Sequence, residues 1–277
     1  MPELPEVETV CRGLADKLVG RRLVRVETRR PDLRAPLPAG FARRVQGQRV
    51  TSISRRAKYI LVHLENGTVL LAHLGMSGRL VIANGGPPGP HDHVIFETDD
   101  GTEIRFSDQR RFGLMTLTSE RAWRRHPLIK ELGPEPLDAA FDGRTLAAAL
   151  AGKATSIKAA LLDQTVVSGL GNIYACESLY GAKLSPRRIA RSCTGARAER
   201  LVRAVRSVLI EAIAAGGSSL RDHVRPSGEL GYFQHRWSVY GREGEPCPRC
   251  QADGTACRIR RIVQAGRSTF YCPRWQR

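Results

Sequence analysis

Between residues 22 and 117 the chain alternates short apolar runs with strong turn signals, and this pattern restricts the fold more than any other feature of the sequence. Seven runs rich in Val, Ile, Leu and Phe are predicted as strands: residues 22–28, 50–53, 59–64, 68–74, 93–98, 103–106 and 114–117. Asn66-Gly67, Asp100-Gly101 and a Gly/Pro loop at residues 85–90 mark turns between some of them. Short strands at this spacing predict an antiparallel sandwich or barrel.

Helical periodicity frames this β-rich segment on both sides. Apolar residues recur every three or four positions from Leu4 to Leu18, which predicts one face of a helix over residues 3–19, ended by Gly20. Two prolines and a glycine at residues 132–137 indicate a linker. Beyond it, helices are predicted over residues 144–151, 156–163, 172–180 and 196–215. A length of 277 residues fits about two domains, here a β-rich half and a helical half.

The charge of the chain points to a class of partner. Its 44 Lys and Arg residues outnumber 27 Asp and Glu residues, so the formal net charge is +17. Because hydrophobic residues make up 42% of the chain, this is a folded basic protein and not a disordered basic tail. An excess of this size favours a polyanionic partner, with nucleic acid as the first expectation.

Other features bear on location and redox state. The sequence holds no run of about 18 apolar residues that would predict a membrane span. Its acidic start, residues 1–8, lacks the basic and apolar segments of a signal peptide, so we expect a cytoplasmic protein with no membrane partner. Seven cysteines, an odd number, fit reduced thiols or a metal site better than a disulfide framework.

The N-terminus carries the most informative chemistry. Removal of Met1, expected before a small residue, would give Pro2 a secondary amine that can attack a sugar C1′ and form an iminium. The pKa of an α-amine, about 8, leaves more free nucleophile at neutral pH than a lysine does, and Glu3 could act as acid or base. The alternative is structural, because proline and nearby acids also suit the first turn of a helix. With Met1 attached, the nitrogen of Pro2 is an amide and cannot react.

Ordered motifs along the chain connect this start to a family. The stretch Pro-Glu-Leu-Pro-Glu-Val-Glu-Thr at residues 2–9 resembles the start of bacterial formamidopyrimidine-DNA glycosylases, repair enzymes for oxidised purines. The resemblance continues through Arg-Arg-Ala-Lys-Tyr at 55–59, His-Leu-Gly-Met-Ser-Gly at 73–78, His-Asp-His at 91–93, Arg-Arg-Phe-Gly at 110–113, the linker at 132–137, Gly-Leu-Gly-Asn-Ile-Tyr-Ala at 169–175 and Tyr-Gly-Arg at 240–242. The sister endonuclease VIII group usually begins Pro-Glu-Gly-Pro, so Leu4 favours the purine branch.

The resemblance implies a catalytic set of four residues. Pro2 is the expected nucleophile at C1′, and Glu3 is expected to assist opening of the sugar ring. Lys58 is expected near the flanking phosphate, acting in β-elimination, and Arg267 is expected to assist δ-elimination. Without the family, Lys58 in its basic run would be interpreted as a solvated surface charge.

The resemblance also implies residues that fill the space left by an everted base. Met76, Arg110 and Phe112 match the family's inserted trio. Core packing is the alternative interpretation for the two apolar members. Gln109 stands where the family usually has proline, so we expect the loop around Arg110 to be less rigid.

Three further positions match DNA-contacting residues of the family. They are His91, Lys153 and Asn172, the last at a helix start whose N–H groups suit a phosphate. An ordinary capped turn is the alternative at Asn172. The Gly-rich residues 216–235 match the loop that closes over the everted lesion.

The C-terminal cysteines depart from the family's pattern. Cys247 and Cys250 have the spacing of a zinc-ligand pair, but Trp275 stands where the second pair, begun by Cys272, needs its cysteine. A longer connecting segment brings an extra cysteine, Cys257. A hairpin turning at residues 264–266 would put Cys257 opposite residue 273, beside Cys272. We therefore hypothesise a zinc site of Cys247, Cys250, Cys257 and Cys272. The alternative is weakened or absent zinc and an incidental Cys257.

Together these observations predict an α+β protein. The expected domains are an N-terminal β-sandwich with an N-terminal helix at residues 1–131, a linker at 132–142, a helix–two-turn–helix domain at 143–236 with a lesion-capping loop at 216–235, and a zinc β-ribbon at 237–277. We expect a monomer with one structural zinc ion that removes oxidised purines, such as 8-oxoguanine and formamidopyrimidines, from double-stranded DNA through a Pro2 Schiff base and then nicks the strand by β,δ-elimination. Two alternatives stay open: an oxidised-pyrimidine glycosylase of the endonuclease VIII type, and a non-catalytic zinc-ribbon protein that binds damaged DNA.

Overall fold

Two compact units make up the structure. The computed structural model describes residues 1–83, 85–218, 226–228 and 231–277. One unit contains the described parts of residues 1–130 and 213–234, and the other contains residues 131–212 and 235–277. In the described ranges, no helix combines the length and the apolar character needed to cross a membrane.

The first unit is built from antiparallel sheets. Along the chain, its described elements are α1 (Leu4–Leu18), β1 (Leu23–Thr28), α2 (Phe41–Val45), β2 (Val50–Arg56), β3 (Tyr59–Leu64), β4 (Thr68–His73), β5 (Arg79–Ile82), β6 (Asp92–Thr98), β7 (Glu103–Ser107) and β8 (Leu114–Ser119). In this described part, one sheet has the strand order β1-β6-β7-β5 and the other has the order β2-β3-β4-β8. Every neighbouring pair of strands in both sheets is antiparallel.

The two sheets and α1 share one apolar core. Leu14 of α1, Leu70 of β4, Phe96 of β6 and Ile104 of β7 belong to the same buried cluster. The predicted α+β class and sandwich are therefore confirmed. Sequence analysis missed β5, because a four-residue strand between turn-forming segments is too short for its alternation to be recognised.

Helix α1 begins later than Pro2. Glu3 is its N-cap and Pro5 lies in its first turn. The backbone N–H of Glu3 donates to Glu6 Oε2 at 2.9 Å, as in a capping box. Pro5 therefore has the helix-starting role that was the structural alternative for Pro2, and Pro2 precedes the helix.

The second unit holds the helical elements and the ribbon. Its described elements are α3 (Gly143–Leu150), α4 (Ile157–Leu162), α5 (Asn172–Gly181), most of α6 (Ala196–Ala214), α7 (Pro248–Ala252), β9 (Arg260–Gln264) and β10 (Arg267–Tyr271). Helices α3 to α6 match their predicted ranges to within one residue at each end. Such agreement is close to the limit set by fraying of helix ends.

The β9–β10 hairpin differs from its prediction by one residue. Arg267 pairs with Gln264, and Ser268 pairs with Val263, so the turn contains two residues and not three. Ala265 and Gly266 both have positive φ, +47° and +70°, as in a type I′ turn. The predicted opposition of Cys257 and residue 273 is therefore wrong, because a shift of one residue changes every partner along a hairpin.

A buried carboxylate joins α5 to the chain that leads into the ribbon. Glu177 accepts backbone N–H bonds from Ser238, Val239 and Tyr240 at 2.9, 3.0 and 2.8 Å. Burial raises the pKa of Glu177, while the three donors and the charge of Arg242 act in the opposite direction. The segment from Ser238 to Tyr240 is thus fixed by one side chain.

We expect Glu177→Gln to lower the free energy of unfolding by about 1–3 kcal/mol, because the amide NH₂ would face a backbone N–H in place of an acceptor. Urea unfolding followed by circular dichroism measures the change. The control is Glu243→Gln, which alters an exposed carboxylate 3.6 Å from Arg261 and should have little effect. Equal stability of the two variants would contradict this role of Glu177.

Candidate active site

The predicted nucleophile and its acidic neighbour lie in a buried N-terminal segment. Pro2 and Glu3 are buried, whereas Met1 is 43% exposed. The Glu6 carboxylate accepts the N–H of Glu3 through one oxygen and that of Ser218, at 2.8 Å, through the other. Glu6 therefore fixes the segment that begins with Pro2 to residue 218. The sequence predicted only that acids in this first turn suit the helix, although an acid at the third position of a helix is also a signal for a capping box.

Lys58 lies at the turn between β2 and β3, where Arg56 pairs with Tyr59. Its neighbour Ala57 has a φ of +54°, and Arg55 Nη1 donates to the Ala57 carbonyl at 2.9 Å. Lys58 is only 6% exposed, so the interpretation as a solvated surface charge is wrong.

The same turn is tied to α1 by an ion pair. Arg55 Nε donates to Glu8 Oε2 at 2.9 Å, and the Arg55 side chain is 9% exposed. Both ends of this link are in the first unit. One arginine therefore supports the turn of Lys58 and connects it to the helix that follows Pro2 and Glu3.

No role for His73 was predicted from the sequence. It pairs with Tyr59 across the β3–β4 ladder, and the two rings are 5.0 Å apart between centroids. The Gly75 N–H donates to His73 Nδ1 at 3.0 Å, which assigns the proton of the neutral ring to Nε2. Burial, together with the charges of Lys58 and Arg34, lowers the pKa of His73 to about 4. The imidazole is therefore neutral at pH 7 beside a buried cation.

Met76, Arg110 and Phe112, called the wedge below, belong to two loops of the first unit. Met76 is 38% exposed and Phe112 is 45% exposed, so neither is a core residue and the alternative of core packing is contradicted. Arg110 Cζ is 4.8 Å from the centroid of the Phe112 ring. A Cβ on Gly75 would lie 2.3 Å from the Phe112 carbonyl carbon, so the two loops touch backbone to backbone. His91, in the same unit, is also exposed.

The predicted DNA-contacting residues of the second unit have polar partners. Asn172 is the first residue of α5, and Gly171 is the N-cap of that helix. Its Nδ2 donates to the Ser268 carbonyl at 2.9 Å, beside the exposed Arg267. Lys153 Nζ lies 3.3 Å from an Asp163 carboxylate oxygen. The start of α5 and the tip of the ribbon are thus joined at Asn172.

The predicted capping loop is described only in part. Residues 219–225 and 229–230 lie outside the described residues. Within the described part, Ser218 forms an isolated antiparallel bridge with Tyr232.

Four cysteines form a cluster in the second unit. The sulfur atoms of Cys247, Cys250 and Cys272 lie within 4.8 Å of one another. Cys272 Sγ is 3.6 Å from Cys250 Sγ and 3.5 Å from Cys257 Sγ. Tetrahedral zinc with bonds of about 2.3 Å requires sulfur–sulfur distances of about 3.8 Å, whereas a disulfide requires about 2.0 Å. The spacing therefore fits a metal site.

A short backbone ladder brings Cys257 to this cluster. Cys247 N donates to the Cys257 carbonyl, and Ile259 N donates to the Glu245 carbonyl, both at 2.9 Å. Trp275, at the position of the family's fourth cysteine, donates its backbone N–H to Cys272 Sγ at 3.3 Å. Cys257 is therefore placed by the pairing of residues 245–247 with residues 257–259. The register of the β9–β10 hairpin does not place it.

Comparison with known proteins identifies the family. The model of the formamidopyrimidine-DNA glycosylase N-terminal domain matches residues 1–115, and the model of that enzyme's H2TH domain matches residues 132–224. The chain belongs to the formamidopyrimidine-DNA glycosylase family. This is a family of DNA glycosylases of base excision repair, and AP lyase activity is its general property. Formamidopyrimidine-DNA glycosylases of Rhodospirillum centenum and Acidiphilium cryptum are 61% and 56% identical to it, each over 100% of both chains.

Solved structures of the family share the fold. The MutM (Fpg) protein of Thermus thermophilus is 42% identical, with a TM-score of 0.87 over 99% of this chain and 98% of that one. A mutant Lactococcus lactis enzyme in complex with DNA containing Fapy-dG is 33% identical, with a TM-score of 0.90 over 100% of both chains. The wild-type Lactococcus lactis enzyme, in complex with DNA containing an oxidised pyrimidine, is 33% identical, with a TM-score of 0.89 over 100% of both chains.

The lowered pKa of His73 predicts a dependence of stability on pH. Because the folded-state pKa of about 4 lies below the usual 6.5, the unfolded chain binds this proton first as the pH falls. The contribution of His73 to the free energy of unfolding is complete above about pH 6.5. It is lost as the pH falls towards 4, by no more than about 1.4 kcal/mol per pH unit.

We expect His73→Asn, whose amide oxygen can replace Nδ1 as the acceptor for Gly75, to remove this slope. Urea unfolding at several pH values measures it. The exposed His235, changed to Asn, is the matched control and should leave the wild-type slope intact. A slope that His73→Asn leaves unchanged would show that the imidazole of His73 is not its source.

Proposed function

We propose that this family member is a bifunctional glycosylase and AP lyase that acts on oxidised purines in double-stranded DNA, with Pro2 as nucleophile. The observation that carries the proposal is the Pro2–Glu3 pair. Both residues are buried directly before α1, and Met1 is exposed. The exposed Met1 is accessible for removal, which would convert the Pro2 amide into a secondary amine. Chromosomal DNA as substrate implies a bacterial cytoplasmic protein, and we propose that it acts as a monomer.

In the proposed first step, the Pro2 nitrogen bonds to C1′ of the damaged nucleotide. The glycosidic bond breaks, and the base leaves with its electron pair and takes up the proton that the Pro2 amine loses. Glu3 gives a proton to the ring oxygen as the sugar opens, so that Pro2 and C1′ form an iminium. Support for this role comes from the Glu6 carboxylate, which fixes the backbone of Glu3 at the start of the helix.

In the proposed later steps, the iminium makes the C2′ proton acidic. Loss of this proton expels the 3′-phosphate in β-elimination, and a second elimination expels the 5′-phosphate. Lys58, a buried cation beside the neutral His73, would neutralise charge on the flanking phosphate. Arg267, exposed at the tip of the ribbon, would assist the second elimination.

Base eversion is assigned to the wedge. Its exposed apolar side chains suit insertion between bases, and the guanidinium of Arg110 suits hydrogen bonds to the orphaned base. His91, Lys153 and Asn172 are proposed phosphate contacts. For Lys153 this requires exchange of its Asp163 partner for DNA, which the half-exposed position of the ion pair permits.

We further propose one structural zinc ion held by Cys247, Cys250, Cys257 and Cys272. The sulfur spacing supports this ligand set. Burial raises the pKa of Cys272, and the hydrogen-bonding Cys257 and Cys247 thiols raise it further, so a shared cation would relieve the cost of several thiolates. Zinc would stabilise the ribbon that carries Arg267 and would take no part in the reaction.

Borohydride should trap the wild-type protein on an 8-oxoguanine duplex, because it reduces the iminium to a stable amine. The intact mass of the adduct should correspond to the chain without Met1. Pro2→Gly should lose most of the adduct and of strand cleavage, while Pro5→Gly, the same change inside α1, should keep both. Unchanged strand cleavage by Pro2→Gly would refute the proposed nucleophile.

The same trap distinguishes the lesion classes. We expect faster excision of 8-oxoguanine and formamidopyrimidine than of thymine glycol. Preference for thymine glycol would favour an oxidised-pyrimidine glycosylase. Binding to every duplex without any adduct would favour a non-catalytic damage-binding protein.

Zinc analysis of the purified protein tests the metal site. We expect one equivalent in the wild type and, in Cys257→Ser, at least about tenfold weaker retention against a chelator, because a thiolate that binds the ion directly is lost. The control is Cys193→Ala, a buried cysteine outside the cluster. One equivalent retained as tightly in Cys257→Ser as in the wild type would exclude Cys257 as a ligand.

A further inference from the structure

Asp108 lies where the two loops of the wedge meet. Its side chain is fully buried. Oδ1 accepts the hydroxyl of Ser77 at 2.6 Å, and Oδ2 accepts the backbone N–H of Gly113 at 2.7 Å. Ser77 directly follows Met76, and Gly113 directly follows Phe112. The Asp108 carboxylate therefore joins Ser77, next to Met76, to Gly113, next to Phe112.

The backbone of Asp108 connects a third element. Its N–H donates to the His91 carbonyl at 2.9 Å, and its carbonyl accepts from His93 Nε2 at 2.8 Å. Ser77 completes the network, because its hydroxyl oxygen accepts the N–H of Arg110 at 3.2 Å. The segments that carry Met76, His91, Arg110 and Phe112 are thus all bonded to Asp108 or Ser77.

The packing around this network leaves no room for a side chain at position 113. A Cβ on Gly113 would lie 2.5 Å from Phe106 Cζ and 3.0 Å from Asp108 Oδ2. Arg111, between the two wedge residues of its loop, has a φ of +56°, a conformation that needs support from its surroundings. The network of Asp108 is in place to supply that support.

We propose that Asp108 is the positioning residue of the wedge. The inference rests on the proposed function, because it gives the wedge the role of replacing an everted base. Asp108 and Ser77 hold the two loops at one separation, so that Met76, Arg110 and Phe112 enter the base stack as a unit. These bonds also restrain a loop in which Gln109 replaces the family's proline.

Two substitutions break the network at different points. In Asp108→Asn the amide presents one acceptor and one donor, so either the Gly113 N–H or the Ser77 hydroxyl loses its acceptor. Ser77→Ala removes the hydroxyl and its bonds to Asp108 and Arg110, and it keeps the test available should Asp108→Asn not fold. The matched controls are Asp99→Asn and Ser52→Ala, the same chemical changes at exposed positions of the same unit.

Single-turnover rates on two substrates separate positioning from general structure. Excision of 8-oxoguanine requires a base to be unstacked, whereas nicking at a preformed abasic site does not. We expect Asp108→Asn and Ser77→Ala to slow excision by at least about tenfold, because small misplacements of positioned groups have effects of this size. Nicking of the abasic site should change by less than about threefold, as should both reactions of the control variants.

The double variant and a fluorescent base complete the test. If the two residues act as one unit, the double variant should be no slower than the worse single variant. A 2-aminopurine placed beside an abasic site should brighten on binding of the wild type and much less on binding of the variants, because the wedge unstacks it. The proposal would be overturned if the variants lost equal rate on both substrates or lost no rate of excision. It would also be overturned if the losses of the two single variants added in the double variant, or if the variants brightened 2-aminopurine as much as the wild type does. If the wild type brightens 2-aminopurine but excises no purine lesion, the proposed function is refuted. The role of Asp108 is then decided by the fluorescence of the variants alone.

Discussion

Buried carboxylates that accept backbone N–H groups hold the functional segments of this protein in place. Glu6 fixes the backbone after Pro2, Asp108 fixes the loops of the wedge, and Glu177 fixes the chain leading into the ribbon. Hydrogen bonds to a charged acceptor are stronger than neutral ones, and a buried acceptor has no water to replace a lost donor. In a chain with a formal charge of +17, these few acids therefore have structural importance beyond their number.

Left-handed backbone conformations recur beside the proposed functional residues. In the part of the chain that the structure describes, four non-glycine residues have positive φ, and three of them are Ala57, Arg111 and Ala265. Ala57 precedes Lys58, Arg111 separates the wedge residues of its loop, and Ala265 lies in the turn before Arg267. Such residues cost about 1–2 kcal/mol each, so the surrounding bonds must hold them. Local strain and the supporting network are thus two parts of one arrangement.

The sequence predicted much of the fold because its signals were local. Helical periodicity after the linker predicted both ends of α6 to within one residue, and turn signals marked some of the boundaries between strands. The ribbon turn was misplaced because alanine at position 265 gives no sign of a left-handed conformation. Family motifs pointed to Pro2 and Lys58. The bond from Glu6 to residue 218 and the role of Asp108 could not be predicted, because only the tertiary structure brings these partners together.

A terminal Cys-x-x-Cys pair would both bind a metal and attach the end of the chain. With Trp275 in place of the second cysteine, these two roles belong to different residues. The five residues after Cys272 contribute no sulfur to the cluster, and they are attached by their own hydrogen bonds. Trp275 Nε1 donates to the Tyr180 carbonyl at 3.2 Å, while the Gln276 side chain accepts from Cys272 N at 2.8 Å and donates to the Leu184 carbonyl at 2.9 Å. Neutral amide and indole groups therefore attach the last five residues to the second unit. None of these three bonds uses a thiol or a charged side chain of those residues.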